Sequence, residues 1–301
     1  DLQGNGGGYL HSAVDLSNQF LDNNEMIVYT EGRTTGRHEY RATRGKMHIN
    51  KIVILVDGYS ASAAEILAGA LQDNDRGIIV GRRTFGKGLV QRPINLPDGS
   101  LVRLTIAHYY SPVGRCFQKP YVKGDKKKYE SDMLDRLNSG ELLHADSIHF
   151  PDSLKYTTKG GRIVYGGGGI MPDIFIPHDT AGYTSYYAEV AKRGLLTQYP
   201  FQYTDKNRAE LSQYSTMESL YAYLQTQDLL GQLVDYATLK GVKRRNNLIR
   251  KSRGLMEDIL YGNIIYNVLG MQEYVKYLNL ADPTVLKAVE VLDRGESRPR
   301  I

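Results

Sequence analysis

Apolar and polar positions change their spacing three times along this chain, and each change marks a different kind of element. Leu10 to Leu21 carries apolar residues at helical intervals, while Ile52 to Val56 and Gly77 to Val80 are short, nearly continuous apolar runs of the kind that form buried strands. Between those two runs, Ala61 to Gln72 is rich in alanine and leucine and predicts a helix. Strand, helix and strand within about 30 residues imply a crossover and a parallel pair. Beyond Gly88 the pattern becomes Leu89 to Leu96, a Pro97-Asp98-Gly99 turn, then Leu101 to Tyr110, which predicts an antiparallel hairpin.

Residues 119–160 are polar and lysine-rich, with one helix expected to end near Gly140, and read as a surface excursion. Two short β-prone runs return over Arg162 to Ile176, broken by glycines and by Pro172-Asp173. From about Tyr183 the spacing is helical to the end. Ser215 or Thr216 can cap one helix, Leu248 to Leu269 carries a long apolar stripe, and Asp282-Pro283 has the chemistry of a cap before a first-turn proline. The expected division is therefore 1–180, a mixed α/β unit, and 181–301, an all-helical one.

The 301 residues, 41% hydrophobic and 24% charged, fit a globular chain with real cores and exclude a disordered or fibrous one. No stretch approaches the roughly 18 apolar residues needed to cross a bilayer. The opening Asp1-Leu-Gln-Gly-Asn-Gly-Gly-Gly8 reads as the middle of a strand-to-loop junction, so a longer parent protein is expected. The single Cys116 excludes an intrachain disulfide and reads as a small packed residue. The formal charge of +5 comes largely from two runs, Lys126 to Lys128 and Lys243 to Arg253. Such runs are usually solvated faces, and no nucleic-acid-binding signature accompanies them.

Ser62 stands where an apolar strand has ended and a helix begins, so its hydroxyl and the amide of Ala63 can face one cavity, where helix N-termini stabilise negative charge. Ser62-Ala63-Ala64-Glu65 is also a capping box, in which the serine would only satisfy a helix amide. Both readings stay open on this segment. Lys87, between Gly86 and Gly88 in a loop joining two β segments, can turn inward. If burial lowers its pKa, its amine can take the Ser62 proton and later give it to a leaving amine. No histidine is then needed, and His11, His38, His48, His108, His144, His149 and His178 show no triad or metal-ligand spacing. A rival reading is a phosphate loop in Gly81-Arg-Arg-Thr-Phe-Gly86-Lys87. Gly88 cannot supply its metal-binding hydroxyl, however, and the following residues predict a strand rather than a helix.

The run Ile54-Leu-Val-Asp-Gly-Tyr-Ser60-Ala-Ser62-Ala-Ala-Glu65-Ile-Leu-Ala-Gly-Ala-Leu-Gln-Asp73, continuing to Thr84-Phe-Gly-Lys-Gly-Leu-Val-Gln91, resembles the signature of the carboxyl-terminal processing peptidases, or tail-specific proteases. So do Asp1 to Gly8, Tyr109-Tyr-Ser-Pro-Val-Gly-Arg115 and Gly168-Gly-Ile-Met-Pro-Asp173. Lys87 follows Ser62 by 25 positions (62 to 87), the family's spacing of nucleophile and base. The resemblance implies a crotonase/ClpP-like α/β core of ββα turns with a mixed sheet, Ser62 as nucleophile, Lys87 as base, Gln91 orienting Lys87, and the amides of Gly8 and Ala63 as oxyanion hole. It implies no metal or organic cofactor. Substrates would be proteins with exposed C-terminal tails, in the bacterial envelope or periplasm, read with an upstream PDZ domain that this chain does not include. Gln3, Ala64 and Cys116 depart from the family pattern without removing a catalytic group, and Asp173 reads as a structural turn. Two other functions compete: a catalytically silent peptide-binding or regulatory scaffold, and, by fold analogy only, a binder of coenzyme A thioesters. The tyrosine-rich helical region reads as a packing domain or a homo-oligomer surface.

Overall fold

A computed structural model describes residues 1–43, 45, 47, 49–122 and 124–296; His48 therefore lies outside the described residues. The chain divides into two compact units, Asp1–His178 with the segment from Pro283 onward, and Asp179–Asp282.

The first unit begins with α1 (Leu10–Asn18), β1 (Met26–Gly32) and β2 (Gly36–Arg41). Next come β3 (Val53–Val56), α2 (Ala63–Asp73) and β4 (Ile78–Gly81), followed by the hairpin strands β5 (Leu89–Asn95) and β6 (Leu101–Tyr110). α3 (Lys126–Asn138), β7 (Lys155–Thr157), β8 (Ile163–Tyr165) and β9 (Ile174–Phe175) complete the run. β3, β4 and β9 form a parallel sheet in that order, whereas β2-β1-β6-β5 is antiparallel and β7-β8 is a separate pair. The α/β expectation, a mixed sheet core followed by helices, is met.

The β-branched Val53-Ile-Leu-Val56 run suits a strand buried on both faces. α2 is buried from Ala64 to Asp73, a helix sheathed all round by its own unit. It packs with Ile27, Val28, Ile79 and Phe117 into one core. On the other side of the parallel sheet, Leu55, Ile78, Val80 and Ile176 meet Ala288 and Val291. Those last two residues belong to the final helix, Pro283–Asp293. The expected helical division 181–301 is thus shorter than read: its last helix covers the sheet of the first unit. The reason is chemical, since the apolar stripe of that helix fits an exposed sheet face that periodicity cannot reveal.

The second unit is helical throughout: α4 (Ser185–Lys192), α5 (Leu195–Lys206), α6 (Arg208–Leu211), α7 (Met217–Leu224), α8 (Leu229–Leu239), α9 (Asn246–Lys251), α10 (Arg253–Leu269) and α11 (Met271–Asn279). The final helix is accordingly α12. Thr216 caps α7, its side chain accepting from the Ser219 amide at 3.3 Å. The stripe expected over Leu248 to Leu269 is split between α9 and α10 at Ser252, whose hydroxyl meets Thr184 Oγ1 at 2.7 Å. Among the described residues no helix is long and apolar enough to cross a membrane.

Candidate active site

Ser62 is the residue before α2, with φ 58° and ψ −116°. A positive φ is strained for a residue with a Cβ, by about 1–3 kcal/mol, and persists only where its surroundings fix it. One fixture is Glu65, which is fully buried and whose Oε2 accepts from the Ser62 amide at 2.8 Å. Ser62 and Glu65 form a capping box, in which the Glu65 amide also donates to the Ser62 carbonyl at 2.9 Å.

Glu65 does a second thing that its spacing does not announce. The same Oε2 accepts from the Lys87 amide at 2.8 Å, and Oε1 accepts from the Gly86 amide at 2.7 Å and Thr84 Oγ1 at 2.5 Å. The backbones of Ser62 and Lys87 are therefore brought together by one carboxylate oxygen. Burial pushes the Glu65 carboxyl above its usual range, and the bonds from Thr84, Lys87, Ser62 and Gly86 oppose that rise. A capping residue was legible here; a clasp between residues 22 positions apart was not.

Lys87 is half-buried in the loop between β4 and β5. Gly86 before it has φ 84°, and a Cβ there would lie 3.1 Å from Gly168, Gly169 and Lys119, so glycine is required. β5 follows where a phosphate loop would need a helix, which removes that rival. Gln91 is exposed, just past a register shift between Val90 and Gln91, and no hydrogen bond links its side chain to Lys87 among the described residues.

The glycine loop is laced to the segment preceding Ser62. Leu2 donates its amide to Leu55 O at 2.9 Å, Ala61 donates to Asn5 O at 2.9 Å, Gly4 donates to Asp57 Oδ1 at 3.0 Å, and Ser60 Oγ donates to Leu2 O at 2.6 Å. Gly7, at φ 86°, is the glycine with no room for a side chain: a Cβ would sit 2.5 Å from Ala61 O and 2.6 Å from the Ala63 amide nitrogen. Its amide is turned to Asn5 Oδ1 at 2.8 Å. Gly8 is exposed with open space around it, and neither its amide nor that of Ala63 has a partner among the described residues. Both line a cavity of about 290 Å³ with Leu2, Tyr9 and Leu67. Gly7 makes the close approach and Gly8 keeps the available donor, a division of labour the glycine run alone conceals.

A separate cavity of about 560 Å³ lies around Gln72, Arg162 and Asp173. Asp173 there accepts from the Ile79 amide at 2.7 Å and from Arg162 Nη1 at 3.1 Å, so it ties β4 to the turn before β9. Asp73, at the far end of α2 from Ser62, pairs with Arg115 at 2.6 Å. Cys116 is half-buried, and burial pushes its thiol up.

Residues 1–127 match the family model Peptidase family S41. The chain's relatives include a carboxyl-terminal-processing protease of Picosynechococcus sp., 41% identical over 126 residues, 42% of this chain and 30% of that protein. Another from Synechocystis sp. is 42% identical over 165 residues, 55% of this chain and 38% of that protein. Among solved structures, a photosystem II D1 C-terminal processing protease aligns at 38% identity and a TM-score of 0.37, over 39% of this chain and 31% of that one. The chain thus spans about a third of the length of these relatives. Residues 186–270 match a second model, a family of unknown function (DUF8443).

Proposed function

We propose that this chain carries the catalytic core of a serine endopeptidase that cleaves proteins near their C-termini through a Ser62–Lys87 dyad. The observation that carries this reading is the Glu65 clasp, which holds the amides of Ser62 and Lys87 on one oxygen. Ser62 Oγ attacks the scissile carbonyl carbon as the Lys87 amine takes the hydroxyl proton. The resulting oxyanion receives the unengaged amides of Ala63 and Gly8, each such donor being worth about 3 kcal/mol in comparable sites. Lys87 then protonates the leaving amine, an acyl-enzyme forms on Ser62, and a water deprotonated by Lys87 releases the acid. Gln91 is the residue that would orient Lys87, although no hydrogen bond joins their side chains among the described residues. Protein substrates with exposed apolar tails, a bacterial envelope setting, an upstream PDZ partner and a two-unit division near residue 180 complete it.

Hydrolysis of an unfolded protein with an apolar C-terminus, by the full-length protein beside Ser62→Ala and Lys87→Ala variants, tests it. Both variants are expected to lose activity by roughly 1,000-fold or more. Equal activity in all three would place the chemistry elsewhere, and no activity in any would favour a silent peptide-binding scaffold.

A further inference from the structure

The loop that carries Lys87 is gripped along two edges by different parts of the chain. On its amide edge, Thr84 donates to Ile170 O at 3.1 Å and Phe85 to Ser60 O at 2.9 Å. Gly86 and Lys87 donate to Glu65 and Gly88 donates to Gln118 Oε1 at 3.0 Å. On the carbonyl edge, Arg136 of α3 gives Nη1 to Thr84 O at 2.8 Å and to Arg83 O at 3.4 Å, and Nη2 to Phe85 O at 3.2 Å. The Lys119 amide closes that edge on Gly86 O at 2.9 Å.

Residues 119–160 were expected to be a surface excursion, yet the face of α3 that carries Arg136 is built into the interior. Arg136 is 3% exposed, and its Nε lies 2.9 Å from Asp132 Oδ2. Glu141 holds Arg83 through Nε and Nη2, each at 2.6 Å. Lys119 Nζ stands 3.0 Å from Asp132 and 4.0 Å from the centre of the Phe85 ring. Burying that many charges is costly unless each is paired and hydrogen-bonded, and a mere surface decoration would not require it. Arginine is the side chain whose rigid fork reaches three successive carbonyls while its remaining nitrogen faces a carboxylate; a lysine presents one point charge.

We propose that Arg136 is a positioning residue for the Lys87 base: docking of α3 sets the carbonyl edge of loop 83–86 against the amide edge set by Glu65, and so fixes where Lys87 stands relative to Ser62. This role presupposes the dyad reading above. It makes the 119–141 excursion part of the catalytic machinery, acting through the loop and touching no substrate.

The test compares wild type, Arg136→Ala and Arg136→Lys in the full-length protein on one tail substrate, with and without free guanidinium ion below unfolding concentrations. Hydrogen exchange at the Gly86 and Lys87 amides is followed in the same samples. Expected are a fall in kcat on the order of 100-fold with KM nearly unchanged, partial recovery by guanidinium in the alanine variant alone, and faster exchange at both amides. A folded alanine variant with wild-type kcat would overturn the role, as would a loss of kcat without rescue and with unchanged exchange. Should the alanine variant fail to fold, the lysine variant, which keeps the charge and the stem, decides by the same kcat and exchange readings. Should wild type hydrolyse nothing, the dyad reading falls by itself; amide exchange still decides whether Arg136 holds the loop, unchanged exchange overturning it.

Discussion

The two units of this chain bury different things. In the first, Glu65, Asp73, Arg115, Lys119, Arg136, Glu141 and Arg162 are each less than a tenth exposed, whereas in the second the buried polar residues among those described are Thr204 and Ser252. The helical unit closes instead over Leu211, Leu220, Leu233, Met256, Leu260 and Ile264, with Tyr186, Tyr199 and Tyr261 among them. Helices satisfy their own backbone, so a helical core needs only apolar surface. Loops do not, and the loops that carry Ser62, Lys87 and the glycine run lie in the first unit. Buried ions there do for loop backbone what the helical ladder does for helices.

The sharpest way to break this comparison is Arg115→Ala. Arg115 is fully buried, donates to Asp73 Oδ1 at 2.6 Å and Gln72 Oε1 at 2.7 Å, and reaches Tyr165 O at 3.2 Å. Removing it strands the fully buried Asp73 carboxylate, a change of about 3–5 kcal/mol. Denaturant unfolding read by a probe in the first unit should show that loss, and a change below about 1 kcal/mol would mean that buried ions do not hold this unit. Glu65→Gln comes next: an amide offers one acceptor oxygen where four donors converge. Activity is expected to fall on the order of 100-fold through misplacement of Lys87. The same variant carries a pH signature. Burial raises the folded carboxyl above its unfolded value, so the folded state holds the proton more tightly. The wild type should lose stability as pH rises from the ordinary glutamate range through the folded value, by at most about 1.4 kcal/mol per pH unit, and level off above it. The glutamine variant should lack that component; identical slopes in the two proteins would remove the burial effect.

Legibility in the sequence followed the same divide. α2, the β5–β6 hairpin around Pro97-Asp98-Gly99 and the β3–β4 pair were all readable, because short-range apolar spacing and turn chemistry dictate them. β1 and β2 were missed. β2, Gly36-Arg-His-Glu-Tyr-Arg41, is almost wholly exposed, so it carries no period-2 apolar signal. Ser62 and Lys87 were singled out as candidates by residue type and by the family resemblance, but the clasp between them was not legible, since Glu65 already had a complete local explanation as a cap. Arg136 was hidden for the opposite reason: a lone arginine in a polar helix looks solvated, and its burial depends on a loop some fifty residues earlier. α12 was misassigned because a helical stripe does not say which surface it covers.

In the helical unit the largest effect should come from apolar truncation. Leu260→Ala, at a fully buried site, is expected to cost about 2–5 kcal/mol in the unfolding of that unit, read by near-ultraviolet tyrosine dichroism. A cost below about 1 kcal/mol would mean a core loose enough to collapse around the gap.

The smallest effect is the most discriminating. Arg208 pairs with Asp205 at 3.3 Å, the two side chains being 64% and 66% exposed, so Arg208→Ala replaces the same residue type as Arg115→Ala, again opposite an aspartate. Solvent screens this pair, and holding two long side chains in one geometry offsets most of the attraction. A change within about 0.5 kcal/mol is expected, measured by denaturant unfolding at low and physiological salt. A larger, salt-sensitive loss would mean that ion pairing as such stabilises this chain. A negligible one, beside a large loss at Arg115, would assign the difference between the two arginines to burial, and with it the reason that the unit bearing the candidate active site is the one that buries its charges.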